Sequence, residues 1–187
     1  MAEGTRRQQI LATAADLFAA RGFHGVSVAE IGAAVGISGP ALYKHFSSKQ
    51  AMLAEMLVSI SEELLSVGRS RVARADGDPA AALRGLVDWH VDFALGNRAL
   101  IVVQDRDWES LPSAARTQVR DLQRAYVDLW ASQLRLLQPS LDAGAAHAAA
   151  QAVFGLLNST PRAGGSISDA ALRDVLVAMA LRALGVG

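Results

Sequence analysis

Residues 27–49, SVAEIGAAVGISGPALYKHFSSK, leave the backbone few choices. Ser27 and Glu30 have the S-x-x-E spacing of a capping box, in which each residue's side chain satisfies the other's backbone N–H. Val28, Ile31 and Val35 then recur at helical spacing and give a short helix one apolar side. Gly36 stops it, because glycine enters the left-handed region beyond a helix end at little cost. Ile37 can fill the angle that follows, and Ser38 caps a second helix with Pro40 in its first turn. That helix is predicted from Gly39 to about Phe46. Leu42 and Phe46 face inward, and Tyr43, Lys44 and His45 are left largely outward. Two short helices around a glycine turn, the second with a polar outer face, have the layout of a helix-turn-helix.

The flanking residues extend the pattern. Ile10, Leu11, Ala14, Leu17 and Phe18 make the apolar stripe of an earlier helix, and Gly22 and Phe23 end it. With Ser27, Val28, Ile31, Gly36, Ile37, Ser38, Leu42, Tyr43, His45, Phe46 and Lys49, the run from Ile10 to Lys49 resembles the DNA-binding domain of the tetracycline-repressor (TetR) family. The block Leu42–Phe46 followed by Lys49 is the most specific part, since a generic helix-turn-helix need not have it. The resemblance covers roughly the first quarter of the chain, and beyond Gln50 it is architectural only.

It implies that Ser27, Tyr43, His45 and Lys49 contact backbone phosphates of double-stranded DNA. Gly39, Ala41 and Lys44 would face the major groove, and Ser38 and Pro40 complete the set at the start of the reading helix. Lys44 can donate to guanine O6 and N7, and Ala41 can meet a thymine methyl. Gly39 and Ala29 are too short to read bases. Part of any specificity is therefore expected from DNA shape, or from Arg6 and Arg7 reaching a minor groove. The other reading of Tyr43 and His45 is that they pack beneath the motif.

The chain's totals exclude several function classes. With 51% hydrophobic residues across 187 positions it can bury a substantial core. It has no cysteine, which removes disulfides, thiol nucleophiles and cysteine-ligated zinc. Formal net charge is zero, against a polybasic coat, although both lysines, Lys44 and Lys49, lie at the motif. MAEGTRRQQ lacks the apolar core of a signal peptide, and no apolar run is long enough to span a membrane, so a cytoplasmic protein is expected. The four histidines are scattered without metal spacing. Asp105, Asp107 and Glu109 read better as a solvated acidic loop than as a cation site. No G-x-S-x-G, P-loop or dinucleotide fingerprint is present. Neither enzyme activity, metal nor cofactor is expected.

The remaining segments read as helices, so the fold class is all-α. Thr5–Gln8 has capping-box spacing for the first helix, and Ser47–Gln50 for a long helix from about Lys49 to Ala73. Asp78-Pro79 opens the next helix. Gly96-Asn97 closes it, and a short helix follows near Ala99–Val103. QDRDWESLP is predicted to be irregular, and a long helix runs from Pro112 to about Gln138. Two small-residue helices, Asp142–Asn158 and Ser168–Leu184, flank the loop STPRAGGSI. The division expected is a three-helix DNA-binding domain over residues 1–50 and a larger helical ligand-binding and dimerisation domain over 51–187.

Two features of the larger domain bear on function. Gly144, Ala145, Ala148, Ala149, Ala152, Val153, Leu156 and Leu157 on one terminal helix, with Leu172, Leu176, Met179, Ala180 and Ala183 on the other, would let two copies build a four-helix interface. The alternative is an intramolecular core. A homodimer through these helices suits a palindromic operator, and the resemblance implies it. Trp89, His90, Phe93, Trp108, Tyr126, Trp130 and Asn158 could line an apolar pocket for a small hydrophobic effector, a fatty-acyl or aromatic compound, or they are core. The reading as a whole is a repressor that such an effector releases from DNA. Left open are a DNA-binding regulator without a small effector, and a helical binding protein or enzyme whose N-terminal unit is vestigial.

Overall fold

Helices account for all the regular structure among the described residues, which in this computed structural model are 2–163 and 167–186, with side chains from residue 6 onward. They are α1 (Ala2–Arg21), α2 (Val28–Ala34), α3 (Gly39–Leu42), α4 (Lys49–Arg74), α5 (Pro79–Gly96), α6 (Arg98–Arg106), α7 (Ser113–Leu137), α8 (Ala143–Leu157) and α9 (Asp169–Ala183), with a 3-10 turn at Trp108–Ser110.

Capping chemistry sets most of the starts. Asp78 accepts from the N–H groups of Ala80 and Ala81 at 2.8 and 3.1 Å, Asp142 from Ala145 at 2.7 Å, and Ser168 from Ala171 at 3.2 Å. The cap of α4 is Ser48, whose Oγ accepts from Ala51 N–H at 3.0 Å, and not the expected Ser47. The two serines are adjacent, and only the backbone direction chooses between them. The first helix is already formed at Ala2, so it does not start at Thr5, whose side chain lies outside the described residues. So does the centre of the STPRAGGSI loop, residues 164–166.

The chain divides into two compact units. One is Met1–Ile60 with Ala99–Val119; the other is Ser61–Arg98 with Arg120–Gly187. The three dividing points lie within α4, at the start of α6 and within α7, so the units do not follow a cut at residue 50. The reason is packing. Val103, Leu111 and Val119 share one buried cluster with Phe18, Phe23, Ile31, Leu42, Phe46 and Leu53. A three-helix unit of about 45 residues buries too little by itself, and α6 with the 3-10 turn supplies the rest.

Polar anchoring completes that attachment. Asp107 is buried, and its carboxylate accepts from Phe23 N–H at 3.2 Å. Arg106 pairs with Asp107 at 3.3 Å and donates to the carbonyls of Phe18 and Ala19 at the end of α1. The segment expected to be an irregular, solvated acidic loop is therefore the last turn of α6 plus a fixed 3-10 turn. The second unit has its own core around Trp130, with Leu83, Leu86, Leu134, Val153 and Leu157 fully or almost fully buried.

Candidate functional site

The motif opens with the capping box that its sequence implies. Glu30 N–H donates to Ser27 Oγ at 3.2 Å, and Ser27 N–H donates back to Glu30 Oε2 at 2.7 Å. The Ser27 hydroxyl, then its N–H, then Arg21 at 2.7 Å, hold the Glu30 carboxyl down to about 2. Between the helices, Gly36 sits at φ +72°, and Ile37 N–H donates back to Gly32 O at 2.8 Å. This is the closing bond of a left-handed helix stop, and a side chain at Gly36 would be strained there.

The second helix is shorter than expected. Ser38 caps it by accepting from Ala41 N–H at 3.3 Å. Beyond Leu42 the chain tightens: Lys44 N–H reaches Ala41 O and His45 N–H reaches Leu42 O, both three residues back. The helical course still carries Tyr43 and Lys44 outward. Tyr43 is 54% exposed, Ser27, Ser38, Pro40 and Lys44 are exposed, and Gly39, Ala41 and His45 are half-buried. Lys44 takes part in no ion pair among the described residues.

Three other cations of this unit have structural work. Lys49 Nζ donates to Phe23 O and Val26 O at 2.6 and 2.7 Å and lies 4.2 Å from the Phe23 ring centroid. It ties the turn before α2 to the start of α4. Lys49→Met leaves both carbonyls without their donor, and an expected loss of about 2 kcal/mol should appear in urea unfolding. Tyr43→Ala should stay within about 0.5 kcal/mol of wild type in the same assay, as befits an exposed side chain.

Arg7 binds Glu55 and the carbonyl of His45 and covers the Phe46 ring at 4.1 Å. Arg6 donates to Gln9 and to Val35 O. Because α1 is helical from Ala2, these two arginines brace the motif and form no extended arm toward a minor groove.

In the second unit the structure gathers five of the seven residues expected at a pocket. His90 and Phe93 on α5, Tyr126 and Trp130 on α7, and Asn158 just beyond α8 meet around Phe154 of α8. Trp89 packs against the same core without joining the rings. Trp108 is a correction: it belongs to the other unit and packs on that unit's core, which sequence spacing alone could not assign. Phe154 was missed because it stands alone in an alanine-rich helix. The available signal was its spacing of one turn from Asn158.

The rings are ordered. Phe154 lies 5.5 Å and 6° from Tyr126, and 4.9 Å and 23° from His90, while Trp130 meets it edge-on at 4.9 Å. His90 Nε2 is 3.1 Å from Asn158 Oδ1. Burial pushes the His90 imidazole down to about 4, partly countered by Asn158. Burial pushes the Tyr126 hydroxyl up, with the neighbouring Trp130 indole offsetting part of the rise. The two nevertheless fall short of hydrogen-bond geometry. Tyr126 Oη, Trp130 Nε1, Trp89 Nε1 and His90 Nδ1 are all buried without a partner. A buried polar atom left so costs about 1–3 kcal/mol, and four in one core is an unusual concentration.

A separate open depression of about 360 Å³ lies between α7 and α8, lined by Arg120, Gln123, Arg124, Val127, His147 and Gln151. None of the clustered rings borders it. Among the described residues, no group of three or more His, Asp or Glu could hold a metal ion, and no helix is long and apolar enough to cross a membrane.

A capped helix-turn-helix on one unit and a second all-helical unit with an aromatic interior are the architecture of a helix-turn-helix DNA-binding regulator. Residues 10–56 match the family described as bacterial regulatory proteins, tetR family, and residues 76–184 match the tetracyclin repressor-like C-terminal domain. The chain belongs to the TetR family of transcriptional regulators, which are not enzymes.

Among curated proteins, the chain is 32% identical over 127 residues to the transcriptional repressor KstR2 of Rhodococcus jostii, covering 67% of this chain and 61% of that one. It is 36% identical over 88 residues to the transcriptional activator FasR of Mycolicibacterium smegmatis, covering 47% and 40%. These matches thus span less than two thirds of either relative. A TetR-family regulator from Bordetella parapertussis superposes with a TM-score of 0.81 at 29% identity, over 94% of this chain and 93% of that one.

Proposed function

We propose that this chain is a homodimeric repressor that binds a palindromic operator through residues 1–50 and responds to a small, mainly hydrophobic effector through residues 51–187. It would act on DNA in the cytoplasm. The observation that carries the reading is the exposed face from Ser38 to Lys44. It is held at a fixed angle by the Gly36 stop and by Lys49, while Leu42 of the same segment is buried.

On this reading Tyr43, His45, Ser27 and Lys49 meet phosphates, and Lys44 reaches base edges. Lys49 does so only with donor capacity beyond its two carbonyls, so Tyr43 and Lys44 carry most of the contact. Effector and operator weaken each other's binding because each favours a different spacing of the two reading heads. Recovery of bound genomic DNA tests this: discrete two-fold symmetric sites are expected, and diffuse recovery would refute it. Transcript levels of the adjoining genes then separate repression from activation.

The dimer is expected on α8 and α9, through those of the predicted residues that stay outward, Ala148, Ala152, Met179 and Ala183, and their exposed neighbours. Val153, Leu157, Leu172, Leu176 and Ala180 are consumed by the unit's own core. The outward stripes are Ala148, Ala152 and Gly155 on α8, and Ala171, Val175, Met179 and Ala183 on α9, with Val175 and Met179 exposed at 46% and 47%. Small residues flanking exposed apolar ones suit a close helix–helix contact. Val175→Glu with Met179→Glu should give monomers by light scattering and reduce operator affinity at least tenfold, since two half-sites are then bound independently.

A second reading, a regulator without a small effector, draws on how tightly the rings are packed. A Cβ at Gly68 would stand 2.7 Å from Tyr126 Cε2, leaving no slack on that side.

A further inference from the structure

The geometry of the aromatic cluster goes further than the presence of an effector and bears on its chemistry. We propose that the second unit seats a flat, neutral ring compound carrying a hydrogen-bond acceptor beside a donor, in the place that the Phe154 ring holds here. The proposal rests on the small-effector reading and adds what the effector must look like.

Shape comes from the rings. Tyr126, Phe154 and His90 are close to parallel, at 6°, 17° and 23° to one another, and Trp130 stands across all three at 77–89°. Phe154 is in contact with each of the other three and is the one member that is only half-buried; His90, Tyr126 and Trp130 are 3%, 4% and 0% exposed. Tyr126 cannot retreat toward α4, because its ring edge already fills the space at Gly68. Phe154 can leave by a side-chain rotation, a fast motion for a partly exposed residue. What enters must then be planar, to lie against Tyr126 and His90 as Phe154 does.

Polarity comes from the unpartnered atoms. Asn158 Oδ1 is an acceptor, so His90 Nε2 carries the hydrogen and His90 Nδ1 is left as a bare acceptor. Tyr126 and Trp130 present an O–H and an N–H, both without partners. Two donors and one acceptor carried by the three rings that pack on Phe154 call for a carbonyl-type oxygen next to an N–H or O–H. Charge is disfavoured because the cluster contains no cation, and an unpaired carboxylate would lose its hydration there. A cation of the same unit that could supply a counter-charge is Arg71. Its stem lies against Gly85 and its Nε is buried without a partner.

Four bicyclic probes separate these terms on the full-length protein: oxindole (donor and acceptor), 1-indanone (acceptor only), indane (neither) and indane-1-carboxylate (charged). Calorimetry and tryptophan fluorescence should show saturable binding in the order oxindole, indanone, indane, with the first roughly tenfold tighter than the last and the carboxylate weakest. Phe154→Ala empties the seat and should tighten all three neutral probes about tenfold while keeping their order. Tyr126→Phe should shrink the oxindole-to-indane ratio to about threefold or less. If Phe154→Ala does not fold, Phe154→Leu and the wild-type titration carry the same comparison.

The proposal is overturned if no probe saturates at millimolar concentration in either protein, or if indane matches oxindole. Tighter binding of the carboxylate would overturn neutrality and move the assignment to Arg71. Oxindole binding that obeys the expected order without changing operator affinity would uphold the seat and refute the effector reading alone.

Discussion

Trp130→Ala should destabilise the second unit by about 3–5 kcal/mol, the largest single-residue effect expected in this protein. Trp130 is completely buried and is the largest fully buried side chain. Its ring touches His90, Tyr126 and Phe154 at centroid distances of 6.1, 6.1 and 4.9 Å. Truncation forfeits the transfer of the indole from water, and α5, α7 and α8 cannot collapse into the space without moving as whole helices. The indole N–H has no partner, so no hydrogen bond is lost. Trp130→Phe should therefore cost much less than alanine, about 1–2 kcal/mol, because it keeps an aromatic contact and removes an unsatisfied donor. Denaturant unfolding followed by the far-UV signal measures both. Equal losses for the two variants would mean that the site is not close-packed.

Acid should weaken the same unit through His90. The imidazole is held neutral in the folded protein, with its titration pushed down from 6.5 to about 4, chiefly by burial. In the unfolded chain it takes up a proton near its ordinary value. Between these two pH values the unfolded state binds more protons, so stability falls as pH falls. The full contribution is present above about pH 6.5 and lost by about pH 4, at up to ~1.4 kcal/mol per pH unit and about 3 kcal/mol in all. Glu30 acts in a lower window, from 4.5 down to about 2, since its carboxylate is stabilised in the fold. Unfolding free energies of wild type and His90→Gln, compared between pH 7 and pH 4.5, isolate the histidine: the wild-type slope should be steeper by most of that amount. Parallel slopes would show that His90 is hydrated or already protonated.

Local chemistry made the first unit legible in sequence. A capping box, a glycine stop and a second serine cap each act within four residues, and the structure places all three around Ser27, Gly36 and Ser38. The length of α3 was not legible, because the choice between bonds three and four residues back depends on how Phe46 and Leu42 are pulled into the core. The attachment of Asp107 was hidden for a different reason: its partner, Phe23 N–H, is 84 positions away. No spacing rule spans that distance, so an acidic run beside Trp108 reads as solvated.

The aromatic cluster was half legible. The sequence offers His90, Phe93, Tyr126 and Trp130 as pocket or core residues, but periodicity cannot say which core a face joins. Trp108 was thus grouped with the wrong rings and Phe154 was passed over. The terminal helices show the same limit. Their small residues cover two faces, and only the packing of Leu172, Leu176 and Val153 reveals which face stays outward.

The most direct test of the DNA-binding assignment is operator affinity as a function of salt for the wild-type protein, Tyr43→Ala and Lys44→Ala, using a site recovered from genomic DNA. Both side chains are exposed and neither supports the fold, so stability should be unchanged. Each variant is expected to bind at least tenfold more weakly, and Lys44→Ala should flatten the salt dependence by roughly one ion per half-site. Wild-type affinity and an unchanged salt slope in both variants would contradict the placement of the DNA interface on this face.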